Sequence, residues 1–160
     1  MRAQRCALVL ATALRLVSGS VAGAALAAQQ SGPGVSGMTA PAQVVGELEA
    51  VLARAAQRFE ARDVEGVLGY VSDQYRTGPL TKPGIRDQLI AIYSIYDAVR
   101  ARIRIDEVRM VNGQAWVYSS GEVSGRLPLV GTWVVFLSWQ RELEVARREA
   151  GGWRLFGYQQ

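Results

Sequence analysis

Apolar residues recur at steps of three and four in the first half of the folded region, which is the spacing of amphipathic helices. The clearest run covers residues 44–59, where charged residues fall between the apolar positions. Asp63 is a suitable N-cap for a second, short helix over residues 64–71. Pro83 suits the first turn of a third helix that ends near Ala98. One side of this third helix is predicted to carry Ile85, Leu89, Ile92, Tyr93 and Tyr96.

From Val99 onwards the apolar positions recur at every second residue, which predicts β-strands. The alternation changes phase at Asp106–Glu107, so a bulge or bend is expected in the first strand. Asn112–Gly113 is a typical two-residue hairpin turn, and a second strand is predicted over residues 115–124. On that second strand one face is shared by Trp116, Tyr118 and Glu122.

The third predicted strand carries a long apolar row interrupted by one charge. The row consists of Trp133, Val135, Leu137, Trp139, Leu143 and Val145. Arg141 lies in the middle of this row, so its side chain is expected to point towards the interior. A buried guanidinium needs a paired group, and Glu122 is the candidate partner. Two interpretations are open for Arg141: a structural ion pair or strand end, and an anion-holding group in a pocket.

Three helices followed by an antiparallel sheet, closed by a strand over residues 153–158, make an α+β domain. The domain is predicted to cover residues 44–160. Residues 29–43, rich in Gly, Ser, Pro and Gln, are predicted to be a flexible linker. Residues 1–28 are predicted to be an export signal.

The predicted export signal has the three parts that a signal peptidase substrate needs. Arg2 and Arg5 are positively charged, the apolar run 6–14 follows, and Ala25-Leu26-Ala27 is a small-x-small cleavage pattern. The sequence therefore predicts a periplasmic or secreted protein. Because Arg15 interrupts the apolar segment, an uncleaved N-terminal anchor stays as the alternative, and it is the only membrane contact predicted.

The amino-acid composition excludes several classes of catalytic and metal-binding site. The chain contains no histidine, and its single cysteine, Cys6, lies in the leader. Imidazole bases, Cys–His pairs, zinc sites and disulfides are therefore excluded from the domain, and no metal or cofactor is predicted. Without the three leader arginines, 15 basic residues face 14 acidic ones. This balance argues against nucleic-acid binding.

Three features of the sequence belong together: ARDVEGVL at residues 61–68 with Val71-Ser72-Asp73, the order of helices and long hairpin, and the terminal GGWRL at 151–155. With these features the chain resembles the nuclear transport factor 2-like superfamily, which includes SnoaL-like and ketosteroid-isomerase-like proteins. The resemblance implies a strongly curved antiparallel sheet that forms a cone with an open pocket. It does not imply steroid isomerisation, because the positions of the oxyanion tyrosine and the catalytic base fall on Ala55 and Pro79.

Aromatic and polar residues are the candidates for lining this pocket. They are Arg141, Glu122, Tyr118, Trp116, Trp139, Tyr93, Tyr96 and Tyr75.

Three functions are compatible with the sequence, which leans against catalysis without excluding it. The leading hypothesis is non-catalytic binding of a small apolar molecule or a protein partner. The second is a cofactor-free lyase or isomerase using Asp or Glu with Tyr and Arg. The third is a module that dimerises through the outer sheet face, with Val134 and Phe136 in the contact. Two ionisable groups in one closed pocket would favour the enzyme, and an apolar cavity with at most one charge would favour the binder.

Overall fold

The computed structural model describes residues 37–158. The three helices are α1 (Ala42–Glu60), α2 (Val64–Leu68) and α3 (Lys82–Ile95). The strands are β1 (Met38–Thr39), β2 (Arg76–Thr77), β3 (Leu80–Thr81), β4 (Ala98–Val111), β5 (Gln114–Arg126), β6 (Trp133–Glu149) and β7 (Gly152–Leu155). The order of helices and sheet confirms the predicted α+β class.

The boundary predicted between linker and domain is wrong. Residues 38 and 39 pair with Arg109 and Met110 as an edge strand, and α1 begins at Ala42. Strand pairing and the hydrogen bond that the Ala40 amide donates to the Val108 carbonyl (3.1 Å) order this segment, which its local composition does not reveal. The predicted leader, residues 1–28, lies outside the described residues.

Side-chain caps define the starts of the two later helices. The carboxylate of Asp63 accepts a hydrogen bond from the Gly66 amide (2.8 Å), as predicted for the N-cap of α2. Thr81 caps α3 in the same way, and Pro83 lies in the first turn. The third helix ends before the predicted Ala98, because the backbone is already extended at Tyr96.

The main sheet is antiparallel, with the strand order β1-β4-β5-β6-β7. The pairing of β4 with β5 shifts between Ile105 and Glu107, which confirms the predicted bulge. Asn112 and Gly113 have positive φ angles of 50° and 78°, as the predicted tight hairpin requires.

Strand β6 does not carry its apolar row on one face. Its pairing with β5 shifts twice, between Val123 and Ser124 and between Ser119 and Gly121. Each shift inserts an extra residue and reverses the alternation of side chains. Trp139 consequently packs in the interior, whereas Leu143 and Val145 lie opposite Tyr118 and Trp116 on the outer face.

Two apolar clusters fill the concave side of the sheet. The first contains side chains from the end of α1, from α2, from the segment that follows α2, from α3 and from the middle of the sheet, including Phe59, Tyr75, Tyr93 and Trp139. The second lies beneath α1 and includes Leu48, Val108, Val117, Ala146 and Trp153. Trp153 is only 5% exposed, and its indole Nε1 donates to the Glu47 carboxylate (2.8 Å), joining the last strand to α1. Within residues 37–158, no helix combines the length and hydropathy needed to cross a membrane.

Candidate functional site

A small cavity lies between α1 and the concave face of the sheet. Its volume is about 50 Å³. Val51 and Leu52 on α1, which line the cavity, are only half-buried, so the cavity approaches the surface beside α1. The lining residues are Leu48, Val51, Leu52, Ile103, Val117, Ser119, Glu142, Leu143, Glu144, Ala146, Trp153, Arg154 and Leu155. The walls are therefore mainly apolar, and two carboxyl groups contribute to them.

The bulge in β6 directs both carboxyl groups inwards. Glu142 lies opposite Ser119 and Glu144 lies opposite Val117, and residues paired in this way share one face of the sheet. The Cα atoms of the two glutamates, two positions apart on one strand, are separated by roughly 7 Å. Two ionisable groups therefore converge on one cavity.

Glu144 is the unusual group of the site. Its side chain is buried (8% exposed), and its Oε1 atom has no hydrogen-bond partner among the described residues. Burial in apolar surroundings raises the pKa of Glu144 to about 8, although the backbone amides of Gly157 and Val145 favour the charged form. The carboxyl group is therefore largely protonated at neutral pH and can donate a hydrogen bond.

Glu142 lies nearer the mouth of the cavity. Its side chain is half-buried, and desolvation raises its pKa above the ordinary value. Arg154 also lines the cavity, but its guanidinium lies 3.8 Å from the carboxylate of Glu149. Among the described residues, no ion pair neutralises either Glu142 or Glu144.

The polar side chains next to the cavity form hydrogen bonds with one another. The Trp139 indole Nε1 donates to the Ser119 hydroxyl (3.2 Å), and the Thr77 hydroxyl donates to the Tyr75 hydroxyl (3.1 Å). Burial raises the pKa of Tyr75, and the nearby Glu144 adds to the shift. Tyr75 therefore stays a neutral phenol, and the unsatisfied atom in this region is Oε1 of Glu144.

The expectation that Arg141 points inwards is wrong. Its side chain is 59% exposed and forms an ion pair with Glu107, not with Glu122. Its guanidinium also lies 5.3 Å from the centre of the Tyr118 ring. The backbone explains this position, because φ of Arg141 is 48° and its amide bonds the Ser120 hydroxyl (2.9 Å) at the bulge.

Glu122, Trp116 and Tyr118 share one face, as predicted, but that face is the outer one. Glu122 pairs with Arg102 (3.0 Å), and Trp116 packs edge-on against Tyr158. These three residues do not line the cavity, because their strand neighbours Val117 and Ser119 occupy the inner face.

The remaining predicted pocket residues fill the core. Trp139, Tyr93 and Tyr75 are buried in the first apolar cluster, where the Tyr93 hydroxyl donates to the Phe59 carbonyl (3.0 Å). Tyr96 stacks on Phe136 with ring centres 4.8 Å apart. Phe136 therefore packs inwards, which corrects its predicted place in an outer contact. None of the eight predicted residues lines the cavity.

Glu142 and Glu144 were missed because their local pattern is ordinary. The segment Glu142-Leu143-Glu144-Val145 alternates charged and apolar residues, which predicts outward glutamates and inward Leu and Val. The bulge reverses this assignment. The positive φ of Arg141 marks the reversal in the structure. The sequence gives no sign of it, because position 141 is not a glycine.

Comparison with known proteins relates the fold to solved structures. No protein-family model matches the chain, and no curated protein matches it. A ketosteroid isomerase-like protein from Erwinia carotovora atroseptica gives a TM-score of 0.55 at 19% identity, over 72% of this chain and 93% of that one. A scytalone dehydratase-like protein from Novosphingobium aromaticivorans gives 0.60 at 11% identity, over 71% and 79%. A protein of the nuclear transport factor 2-like family from Streptomyces avermitilis gives 0.57 at 14% identity, over 73% and 94%.

The chain has the nuclear transport factor 2-like fold. This confirms the resemblance inferred from the motifs around Asp63 and Trp153. Proteins with this fold share a sheet wrapped around helices. At sequence identities below 20%, the shared fold does not show that two of them catalyse the same reaction. Within residues 37–158, no group of three or more acidic side chains is placed to hold a metal ion.

Proposed function

We propose that the domain binds a small, mainly apolar molecule in the cavity beneath α1 and holds its one polar atom with Glu144. The observation that carries this proposal is the buried, unpartnered Oε1 of Glu144 in a mainly apolar cavity, in which Glu142 is the other carboxyl group. Leaving a buried polar atom unsatisfied costs stability, so a ligand that supplies the missing partner gains the corresponding free energy. A protonated carboxyl donates, and the matching ligand group is therefore an acceptor such as a carbonyl oxygen.

The size of the cavity limits the ligand. A cavity of about 50 Å³ holds a few heavy atoms, whereas an engineered cavity that admits benzene has about 150 Å³. A larger ligand must extend past Val51 and Leu52 of α1, or displace these half-buried side chains.

Matched small probes test this proposal. Acetone and 2-methylpropene have four heavy atoms each and nearly the same shape, but only the ketone carries an acceptor oxygen. Methyl resonances of Leu48, Val51 and Leu52 should shift on addition of acetone and respond more weakly to the hydrocarbon. Glu144→Leu should remove the preference for the ketone, while the control Glu122→Leu on the outer face should keep it. Equal responses to both probes would show that Glu144 does not bind the acceptor oxygen. The absence of any response would refute binding in this cavity.

A second function, a cofactor-free lyase or isomerase, is favoured by the presence of Glu142 on the same wall. Its carboxylate would remove a proton from the carbon next to a carbonyl group, while Glu144 donates a hydrogen bond to the carbonyl oxygen. In D₂O the enol formed would regain deuterium at that carbon. Deuterium incorporation into the methyl groups of acetone, observed by NMR and lost in Glu142→Gln, would support catalysis. Exchange at the same rate with and without protein would leave binding as the only function.

A further inference from the structure

We propose that the apex of the β5–β6 hairpin, residues 127–131, inserts into the surface of an anionic membrane. Two side chains at this apex project into solvent. Leu129 is fully exposed and Val130 is 68% exposed, with exposed Pro128 beside them. Three consecutive exposed apolar residues are unusual on a water-soluble surface.

Backbone hydrogen bonds fix the conformation of the apex. The Gly131 amide donates to the Leu127 carbonyl (2.9 Å), and the Leu127 amide donates to the Thr132 carbonyl (2.9 Å). Gly131 has φ of 66°, a conformation that glycine adopts without strain. These bonds close the loop, so Leu129 and Val130 stay directed away from the domain.

The base of the hairpin is positively charged. Residues 123–141 contain no Asp or Glu. Arg100 lies over the Trp133 ring at 4.0 Å and makes no ion pair within residues 37–158. Arg126 binds the carboxylate of Asp97 (2.8 Å), and Arg62 binds the Asp97 carbonyl (2.9 Å). The base of the hairpin thus carries three guanidinium groups, whereas two carboxylates lie nearby, that of Asp97 on Arg126 and that of Glu60, which accepts from the Ala101 amide (3.1 Å).

Apolar side chains projecting beyond arginine and tryptophan match the profile of a lipid interface. Tryptophan is enriched at the boundary between headgroups and acyl chains, and arginine is attracted to anionic headgroups. A second copy of the chain fits the apex less well. A stable dimer buries about 1,200–2,000 Å² in total, more than the three apolar side chains of a narrow hairpin tip provide.

A site-specific label tests the insertion. The full chain carries one cysteine, Cys6, so Cys6→Ser allows a single label elsewhere. An environment-sensitive nitrobenzoxadiazole label is placed at Val130→Cys, and in a matched control at Met38→Cys. Met38 is also exposed (78%), but it lies at the opposite end of β4, about 40 Å away. Each protein is mixed with vesicles of phosphatidylglycerol and phosphatidylcholine, or of phosphatidylcholine alone.

We expect a blue shift and increased emission from the label at position 130 with anionic vesicles, and no such change at position 38. Adding Leu129→Ser should lower the affinity for anionic vesicles about tenfold, because the variant lacks the leucine side chain that would enter the apolar phase. High salt should weaken it as well. The absence of a response at position 130 would overturn the proposal. Equal responses at both positions, or a response that depends on protein concentration without lipid, would also overturn it, the last in favour of a second copy.

Discussion

At the scale of the residue, Glu144 makes the stability of the fold depend on pH between its ordinary pKa and its raised one. Its pKa is about 8 in the folded protein, against an ordinary value of 4.5. Below pH 4.5 both folded and unfolded states carry the proton. Between these two values the unfolded state releases the proton while the folded state keeps it, so stability decreases as pH rises. Above about pH 8 both states are charged and the loss is complete.

The corresponding prediction concerns Glu144→Gln. The wild-type free energy of unfolding should decrease between pH 5 and pH 8 by roughly 1 kcal/mol per pH unit. Glutamine keeps the shape and hydrogen-bonding capacity of the neutral acid but does not ionise, so the variant should lose most of this decrease. Urea unfolding at several pH values measures the effect. Glu122→Gln on the outer face is the control and should follow the wild type; a wild-type stability that does not fall over this range would contradict the assignment.

At the scale of the element, the bulge at Arg141 determines the character of the cavity. It turns Arg141 to the outer face and Glu142 and Glu144 to the inner one. The cost is a non-glycine residue with φ of 48°, a conformation that L-residues adopt with strain. The exposed ion pair between Arg141 and Glu107 offsets little of that strain.

Replacing Arg141 tests the strain. Arg141→Gly should be more stable than Arg141→Ala by about 1 kcal/mol, because glycine adopts the left-handed conformation freely. The same pair of substitutions at the neighbouring Gln140, whose φ is not positive, should give the opposite order. Chemical denaturation of the four variants measures both differences. If alanine equals or exceeds glycine at position 141, the bulge does not strain the backbone.

At the scale of the whole molecule, the sheet encloses two differently filled regions. Aromatic residues fill the region under α2 and α3, where Tyr75, Tyr93 and Trp139 were expected to line a pocket. The open space lies under α1, where Leu48 and Trp153 leave a gap above Glu144. The candidate site therefore lies on a different part of the concave face from the pocket predicted from the sequence.

Export is the prediction that belongs to the whole chain. We expect removal of the leader, with a new N-terminus near Ala28, because a positive start, an apolar run and Ala25-Leu26-Ala27 precede that position. Intact-mass measurement of the protein recovered from its host checks this expectation. Soluble protein that retains residues 1–27 would contradict it.

The sequence by itself determined the three helices, the long strands and their order, but not the edge strand β1. Helix caps, the turn at Asn112–Gly113 and the phase change at Asp106 depend on neighbouring residues, so local patterns report them. The buried position of Trp153 could also be predicted, since Trp153 shares a strand face with Leu155 after a Gly-Gly turn.

The direction of side chains on β6 was decided only in the tertiary structure. A strand reverses its faces wherever one residue is inserted, and the partner strand and the packing of Trp139 against Gly121 determine where that happens. A β-carbon at Gly121 would lie 2.4 Å from the Trp139 ring, so the absence of a side chain there makes room for the tryptophan. A small change in register thus exchanged Arg141 for Glu142 and Glu144 on the concave face, and with it the chemistry of the candidate site.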